Sequence, residues 1–233
     1  MAAFGGATVD NFGVTRRFPA RSMLTGLLAN ALGWNRSEFE RLRQLQNRIR
    51  YAVRLEHPTD GRQWRDFQSA QLEKNDKGWT SSGEPAGRAG GTYGGPYLRY
   101  RDYLHDLQAS IAVTLDDCTS PPSLVNCEEA LQRPARPLFI GRKSCLPSAP
   151  LWRKTVSADN ALMALKQAPF TTTSNTEQTM PCFWMPGEGD SEQTPQPYDI
   201  CDERDWANSQ HTGSRPVFEA DIAANWFEQE AST

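Results

Sequence analysis

Tyr97, Arg99, Arg101 and Tyr103 recur at every second position, the spacing that places side chains on one face of a strand. Rings alternating with guanidinium groups give bases a surface to stack on and phosphates a cation to meet, which is the chemistry of single-stranded nucleic-acid binding. The residues alone fit equally well a polar surface strand beside a flexible loop. A second group, Gly141-Arg142-Lys143-Ser144, sets two cations and a hydroxyl on a glycine-containing turn, where backbone N–H groups can approach a phosphate closely. A third is RIRYAVRLE at 48–56, in which Ile49, Tyr51, Val53 and Leu55 point one way and Arg48, Arg50, Ala52, Arg54 and Glu56 the other. Its pattern is that of a half-buried strand with arginines on the open face, and a solvated face of long cations that discourages aggregation reads the same way.

Enzymatic signatures are sparse. The three histidines, His57, His105 and His211, have no cysteine or carboxylate at metal-ligand spacing. The sequence contains no G-x-S-x-G elbow, H-E-x-x-H, G-x-G-x-x-G or Walker A loop. His105 follows the Tyr/Arg strand and is the one candidate general base for RNA cleavage, although a histidine near a strand end is more often a surface polar group. His211 sits in an acidic stretch, a poor setting for a polyanion. The five cysteines are odd in number and form no C-x-x-C pair, so neither a zinc site nor a disulfide framework is expected, and free thiols suit a reducing cytoplasm. No cofactor is expected.

The elements that must hold these residues are legible from periodicity. Leu24, Leu27, Leu28 and Ala31 make an apolar stripe over 20–33, with Pro19 before it and Gly33 as its stop. A second helix follows from a Ser37–Glu40 capping box, with Phe39, Leu42 and Leu45 on its buried face. Strands are expected over Gln63–Ala70 and over 108–115, where Ile111, Val113 and Leu115 share a face. Further helices are expected over 123–133, stopped by Pro134, and over 157–167, capped by Ser157. Residues 78–96 carry seven of the 17 glycines, too many for a packed element, and read as a mobile excursion or a long hairpin tip. From Thr171 to Pro197 the chain reads as long loops around one strand at CFWM, 182–185.

Composition separates two parts. Residues 1–154 hold 22 Lys and Arg against 15 Asp and Glu, whereas residues 155–233 hold 3 against 13, so a net charge of −3 combines +7 with −10. All nine cations of the first 60 residues are arginine, the residue suited to planar, bidentate phosphate contacts. No apolar run is long enough to span a membrane and the start has no signal-peptide pattern.

Three segments, in order, resemble the CasD family of type I-E CRISPR Cascade subunits. FPARSMLTGLLANALGW (18–34) is similar to that family's lead into its first helix, RPLFIGRKSCLP (136–147) to its glycine-arginine-basic-serine signature, and RDWANSQHTGSR (204–215) to its closing arginine-aspartate-tryptophan segment. RDFQSAQ (65–71) sits where members carry a strand leading to a hairpin excursion. The departure is at the start: MAAFGG (1–6) is similar to the middle of a turn that members place after a first strand, so that strand is expected to be missing and the recorded start to be internal.

The resemblance implies an α+β fold, a ferredoxin-like, RRM-related domain of the RAMP class with a β-hairpin thumb. Residues 1–154 would form it, with the thumb at about 71–97 and the glycine-containing loop at 136–147, and the acidic residues 155–233 would pack on it. It implies a non-catalytic cytoplasmic subunit that holds the 5′ handle of CRISPR RNA, caps the backbone-subunit filament, contacts the large subunit and meets target DNA only indirectly, with no membrane partner. The expected RNA-binding residues are Arg21, Ser22, Arg48, Arg50, Tyr93, Tyr97, Arg99, Arg101, Gly141, Arg142, Lys143 and Ser144. The alternative is a metal-independent endoribonuclease of CRISPR repeat RNA, as in related type I-C subunits that use a tyrosine with a lysine-histidine pair. Here the residues before the three histidines are Glu56, Leu104 and Gln210. A generic RNA binder outside any complex is disfavoured by the acidic C-terminal third.

Overall fold

The computed structural model describes residues 1–7, 11–57, 63–71, 78–79, 85–86, 96–117, 119–170, 179–189 and 196–228. Its elements, in chain order, are β1 (Phe12–Gly13), α1 (Arg21–Ala31), α2 (Phe39–Arg48), β2 (Ile49–His57), β3 (Gln63–Ala70), β4 (Gly78–Trp79), β5 (Pro85–Ala86), β6 (Tyr97–Leu104), β7 (Gln108–Leu115), α3 (Leu124–Gln132), α4 (Ala161–Lys166), β8 (Thr179–Trp184), β9 (Tyr198–Ile200), β10 (Arg204–Asp205), β11 (Gln210–His211), β12 (Arg215–Ala223) and α5 (Ala224–Glu228). This is an α+β architecture.

Alternation over 49–55 makes β2 a strand, but both of its faces are buried. It lies inside an antiparallel sheet of order β7-β2-β8-β12-β9. Ile49, Tyr51, Val53 and Leu55 pack with Phe18, Leu24, Leu28, Leu45, Cys127 and Phe183, beneath α1, α2 and α3. Ala52 packs on the other side with Leu162, Leu165, Cys182, Trp184 and Phe227, beneath α4 and α5. The open arginine face expected from the sequence is therefore covered. Arg54 is fully buried, donates to the carbonyls of Leu165 (2.9 Å), Ala168 and Pro169, pairs with Glu56 at 2.8 Å, and lies between the rings of Phe170 and Phe227. A guanidinium can be buried when its Nη donors are met in this way, and here Nε alone has no acceptor among the described residues.

β3 and β6 form a long antiparallel ladder from Gln63↔Leu104 to Ala70↔Tyr97, and β1 adds in parallel on the far side of β6. β4 and β5 pair beyond it. The rest of the glycine-rich excursion, including Tyr93, lies outside the described residues, as does its expected mobility.

Two expected caps are replaced. At α2 the Ser37–Glu40 box does not form. Glu38 precedes the helix instead, and its carboxylate accepts the Asn35 N–H at 2.5 Å. The fourth helix begins at Ala161, because Asn160, not Ser157, accepts the Met163 N–H. Ser123 does cap α3, in a reciprocal box with Asn126.

Candidate nucleic-acid interface

Strict pairing of β3 with β6 gives their ladder two distinct faces. On the first lie Tyr97, Arg99, Arg101 and Tyr103 of β6, with Trp64 and Asp66 of β3 opposite Tyr103 and Arg101. The Arg99 guanidinium sits 5.5 Å from the Tyr97 ring centre and donates to Asn11, and the Trp64 and Tyr103 rings are 6.0 Å apart. On the second face the rings of Phe12 and Tyr100 stack at 5.0 Å and 12°, with Phe67 at 5.4 Å from Tyr100. Arg65 lies 5.6 Å from the Phe12 ring and makes a two-point contact with Asp102 at 2.6 and 3.0 Å. That contact holds the Asp102 carboxyl below its ordinary range. Trp64 and Phe67 are 52% and 55% exposed, so both faces carry aromatic surface that stays in water.

The loop of 140–145 docks against the first face. The Ala3 N–H donates to the Ile140 carbonyl at 3.1 Å, and the loop closes through Ile140 N–H to Cys145 O (2.7 Å) and Cys145 N–H to Arg142 O (2.8 Å). Gly141 has φ +86°, and a Cβ there would fall 1.7 Å from the Ala3 carbonyl oxygen, so this position requires glycine. Arg142 turns back onto the ladder. It donates to the carbonyls of Asp102 (3.0 Å) and Gly13 (2.9 Å), and its guanidinium sits 4.9 Å from the Tyr103 ring centre. A Cβ on Gly13 would meet Arg142 Nη2 at 2.6 Å and Arg101 Cδ at 2.7 Å, so the two arginines lie side by side. Lys143 and Ser144 are exposed beyond them.

The structure thus sets Tyr97, Arg99 and Arg101 on one face and docks the loop of Gly141, Arg142, Lys143 and Ser144 at its Tyr103 end through Arg142. It holds the other described candidates elsewhere. Arg21 is buried at the start of α1, bonded to the carbonyls of Asn47 and Ile49 and paired with Glu203 at 2.6 Å. Ser22 is beside it, with Oγ 3.3 Å from His211 Nε2. Arg48 donates to the carbonyls of Asp116, Asp117, Ser120 and Pro122, and Arg50 to Glu188 and the Pro186 carbonyl. Sequence reasoning missed Phe12, Trp64, Phe67 and Tyr100. The strand expected over 63–70 already placed Trp64 and Phe67 on opposite faces, which was the available signal. Among the described residues no three His, Cys, Asp or Glu side chains converge as metal ligands, and no helix is long and apolar enough to cross a membrane.

The sequence model of the family described as CRISPR-associated protein (Cas_Cas5) matches residues 1–218. The chain is similar to the CRISPR system Cascade subunit CasD of Escherichia coli (strain K12), 29% identical over 173 residues that cover 71% of each chain. Two solved structures share the fold. One, described as a CRISPR RNA-guided surveillance complex, superposes at TM-score 0.61 with 18% identity, over 97% of this chain and 88% of the other. The second, described as the crystal structure of a Cas protein, gives TM-score 0.61 with 22% identity, over 97% and 91%.

Proposed function

The chain belongs to the CRISPR-associated Cas5 protein family, and from that membership we propose that it is a non-catalytic subunit of a CRISPR surveillance complex that holds the 5′ handle of CRISPR RNA. The observation that carries the reading is the single face formed by Tyr97, Arg99, Arg101 and Arg142 with Lys143 beyond it. Cations set beside exposed rings hold a flexible strand by its phosphates and bases without reading a long sequence. Capping of the backbone filament and contact with a large subunit belong to the same proposal, as does a cytoplasmic site of action. Incubation of the purified protein with labelled repeat RNA, with and without divalent metal, tests it. Binding without a cut is expected, and specific cleavage abolished by a change at Tyr97 or His105 would overturn the non-catalytic part.

We further read residues 1–154 as the ferredoxin-like domain, with its first strand preceding the residues described. Support comes from a groove of about 440 Å³ along β7, whose outer edge has no strand partner among the described residues. Leu24, Leu28, Cys127 and Leu131 line it together with residues 151–156. Ala2 bridges Leu104 in antiparallel sense, just before β7 begins. A strand leading into that bridge would run antiparallel along β7 and meet its open ladder groups. Adding the in-frame upstream codons is expected to raise the melting temperature or soluble yield, and no gain would count against the reading.

A further inference from the structure

The segment RDWANSQHTGSR is left without a task by the interface on β3 and β6. It lies in the acidic third of the sequence, yet in space it gathers cations. β10 and β11 pair so that Arg204 stands directly across from His211. The hairpin is pinned to α2 by the Gln46 amide, which exchanges two hydrogen bonds of 3.1 Å with the Arg204 backbone, while Arg36 donates to Ser209 near its tip. His211 Nε2 lies 3.3 Å from Ser22 Oγ, and Arg16 donates to the Cys201 carbonyl at 2.7 Å where the segment enters.

The neighbouring carboxylates are already engaged. Asp202 takes two bonds from Arg215, at 2.9 and 2.7 Å, and one from the Arg21 N–H at 2.8 Å. Glu203 pairs with Arg21, and Asp205 closes the turn through the N–H groups of Ala207 and Asn208 and the Asn208 amide. Arg204 is half-buried over the Trp206 ring, at 5.5 Å, and its guanidinium makes no hydrogen bond or ion pair among the described residues. The Trp206 indole N–H beside it is buried with no acceptor there. Burial, then Arg204 and Arg16, hold His211 below its ordinary range against the opposing pull of Asp202. Half-burying a guanidinium without an acceptor costs free energy, and a multi-oxygen anion is the ligand that offsets the cost.

We propose that Arg204, His211, Arg16 and Ser22 form a phosphate-binding subsite, separate from the β3/β6 interface. The chemistry recognised is a phosphate group. Its expected source is a phosphate of the bound RNA, which rests on the RNA-binding reading, and free inorganic phosphate is the other source.

The full chain, with histidine carbon-13 labelled, is titrated with inorganic phosphate against chloride at constant ionic strength. A saturable His211 shift is expected, with its pKa raised by about one unit or more as an anion arrives beside it. Arg204→Gln should abolish the saturable shift and, without phosphate, raise the His211 pKa by removing a neighbouring cation. Arg16→Gln, outside the hairpin, should weaken phosphate binding and keep the fold. Equal His211 responses to phosphate and chloride would overturn the subsite. A repeat-sequence RNA oligonucleotide is then bound to wild type and Arg204→Gln across several salt concentrations, and the salt slope should flatten by about 0.7 in the variant. RNA binding unchanged by Arg204→Gln would overturn RNA as the source while leaving the RNA-subunit reading intact. Phosphate binding with no RNA binding at all would support the subsite and count against the RNA-subunit reading.

Discussion

Replacing Arg54 by methionine tests how the two faces of the main sheet are held together. The substitution keeps most of the stem's volume but removes a guanidinium at 0% exposure that bonds three carbonyls, pairs with Glu56 and sits between the rings of Phe170 and Phe227. The carbonyls of Leu165, Ala168 and Pro169 lose the bond from Arg54, and the Glu56 carboxylate, buried and accepting from the Ser110 hydroxyl, loses its cationic partner. Breaking one side of a buried ion pair costs about 3–5 kcal/mol. For a chain of this size each kcal/mol lowers Tm by roughly 2–4 °C, so a drop on the order of 6–20 °C is expected. Arg54→Met with Glu56→Gln should recover part of the loss, because the orphaned charge is gone. Urea unfolding followed by tryptophan fluorescence and circular dichroism measures both variants. A loss below about 1 kcal/mol for Arg54→Met would refute the reasoning, since a buried carboxylate deprived of its cationic partner is not tolerated that cheaply.

The loop after Ile140 separates into a structural and a binding residue. Lys143→Ala is expected to flatten the salt slope of RNA binding by about 0.7 with Tm unchanged, whereas Arg142→Ala, which loses its bonds to Asp102 and Gly13, should also lower Tm. Trp64→Ala, at an exposed ring on the face of Arg99 and Arg101, should weaken RNA binding by about 1–3 kcal/mol, with stability unchanged. Asp117 is held down at about 2 by the hydroxyls and N–H of Ser120 and Thr119. Its folded pKa is depressed, so the stability it gives is present above the unfolded carboxyl range and disappears as pH falls from about 4 to about 2. The gap in unfolding free energy between wild type and Asp117→Asn, measured by urea at a series of pH values, should close over that window.

Periodicity carried most of the elements and little of what surrounds them. Strict alternation over 108–115 gave β7 with the boundaries found, and Tyr97, Arg99 and Arg101 do share a face, because a two-residue period is set by the backbone alone. What covers a strand is not local. The arginines of β2 look exposed from 48–56, and the rings that enclose Arg54 come from Phe170 and Phe227, far along the chain. Caps failed where a neighbouring carboxylate or amide competed, as at Glu38 and Asn160. Charge misled for the same reason as burial. His211 counts as part of an acidic segment, yet burial, together with Arg204 and Arg16 acting against Asp202, holds it below its ordinary range.

The main sheet draws β7 and β2 from before residue 116 and β8, β12 and β9 from after 178, with β2 as the seam between them. During synthesis the chain leaves the ribosome from its N-terminus, so β2 first has only β7 beside it. At about 5–20 residues per second, β8 follows on the order of 3–14 s later. Until Phe227 emerges, Arg54 has no second ring and its side of the strand stays wet. The sheet can therefore close only after the acidic end of the chain has emerged, and a nascent chain released at residue 154 carries a strand edge and a charge whose partners lie in the missing third.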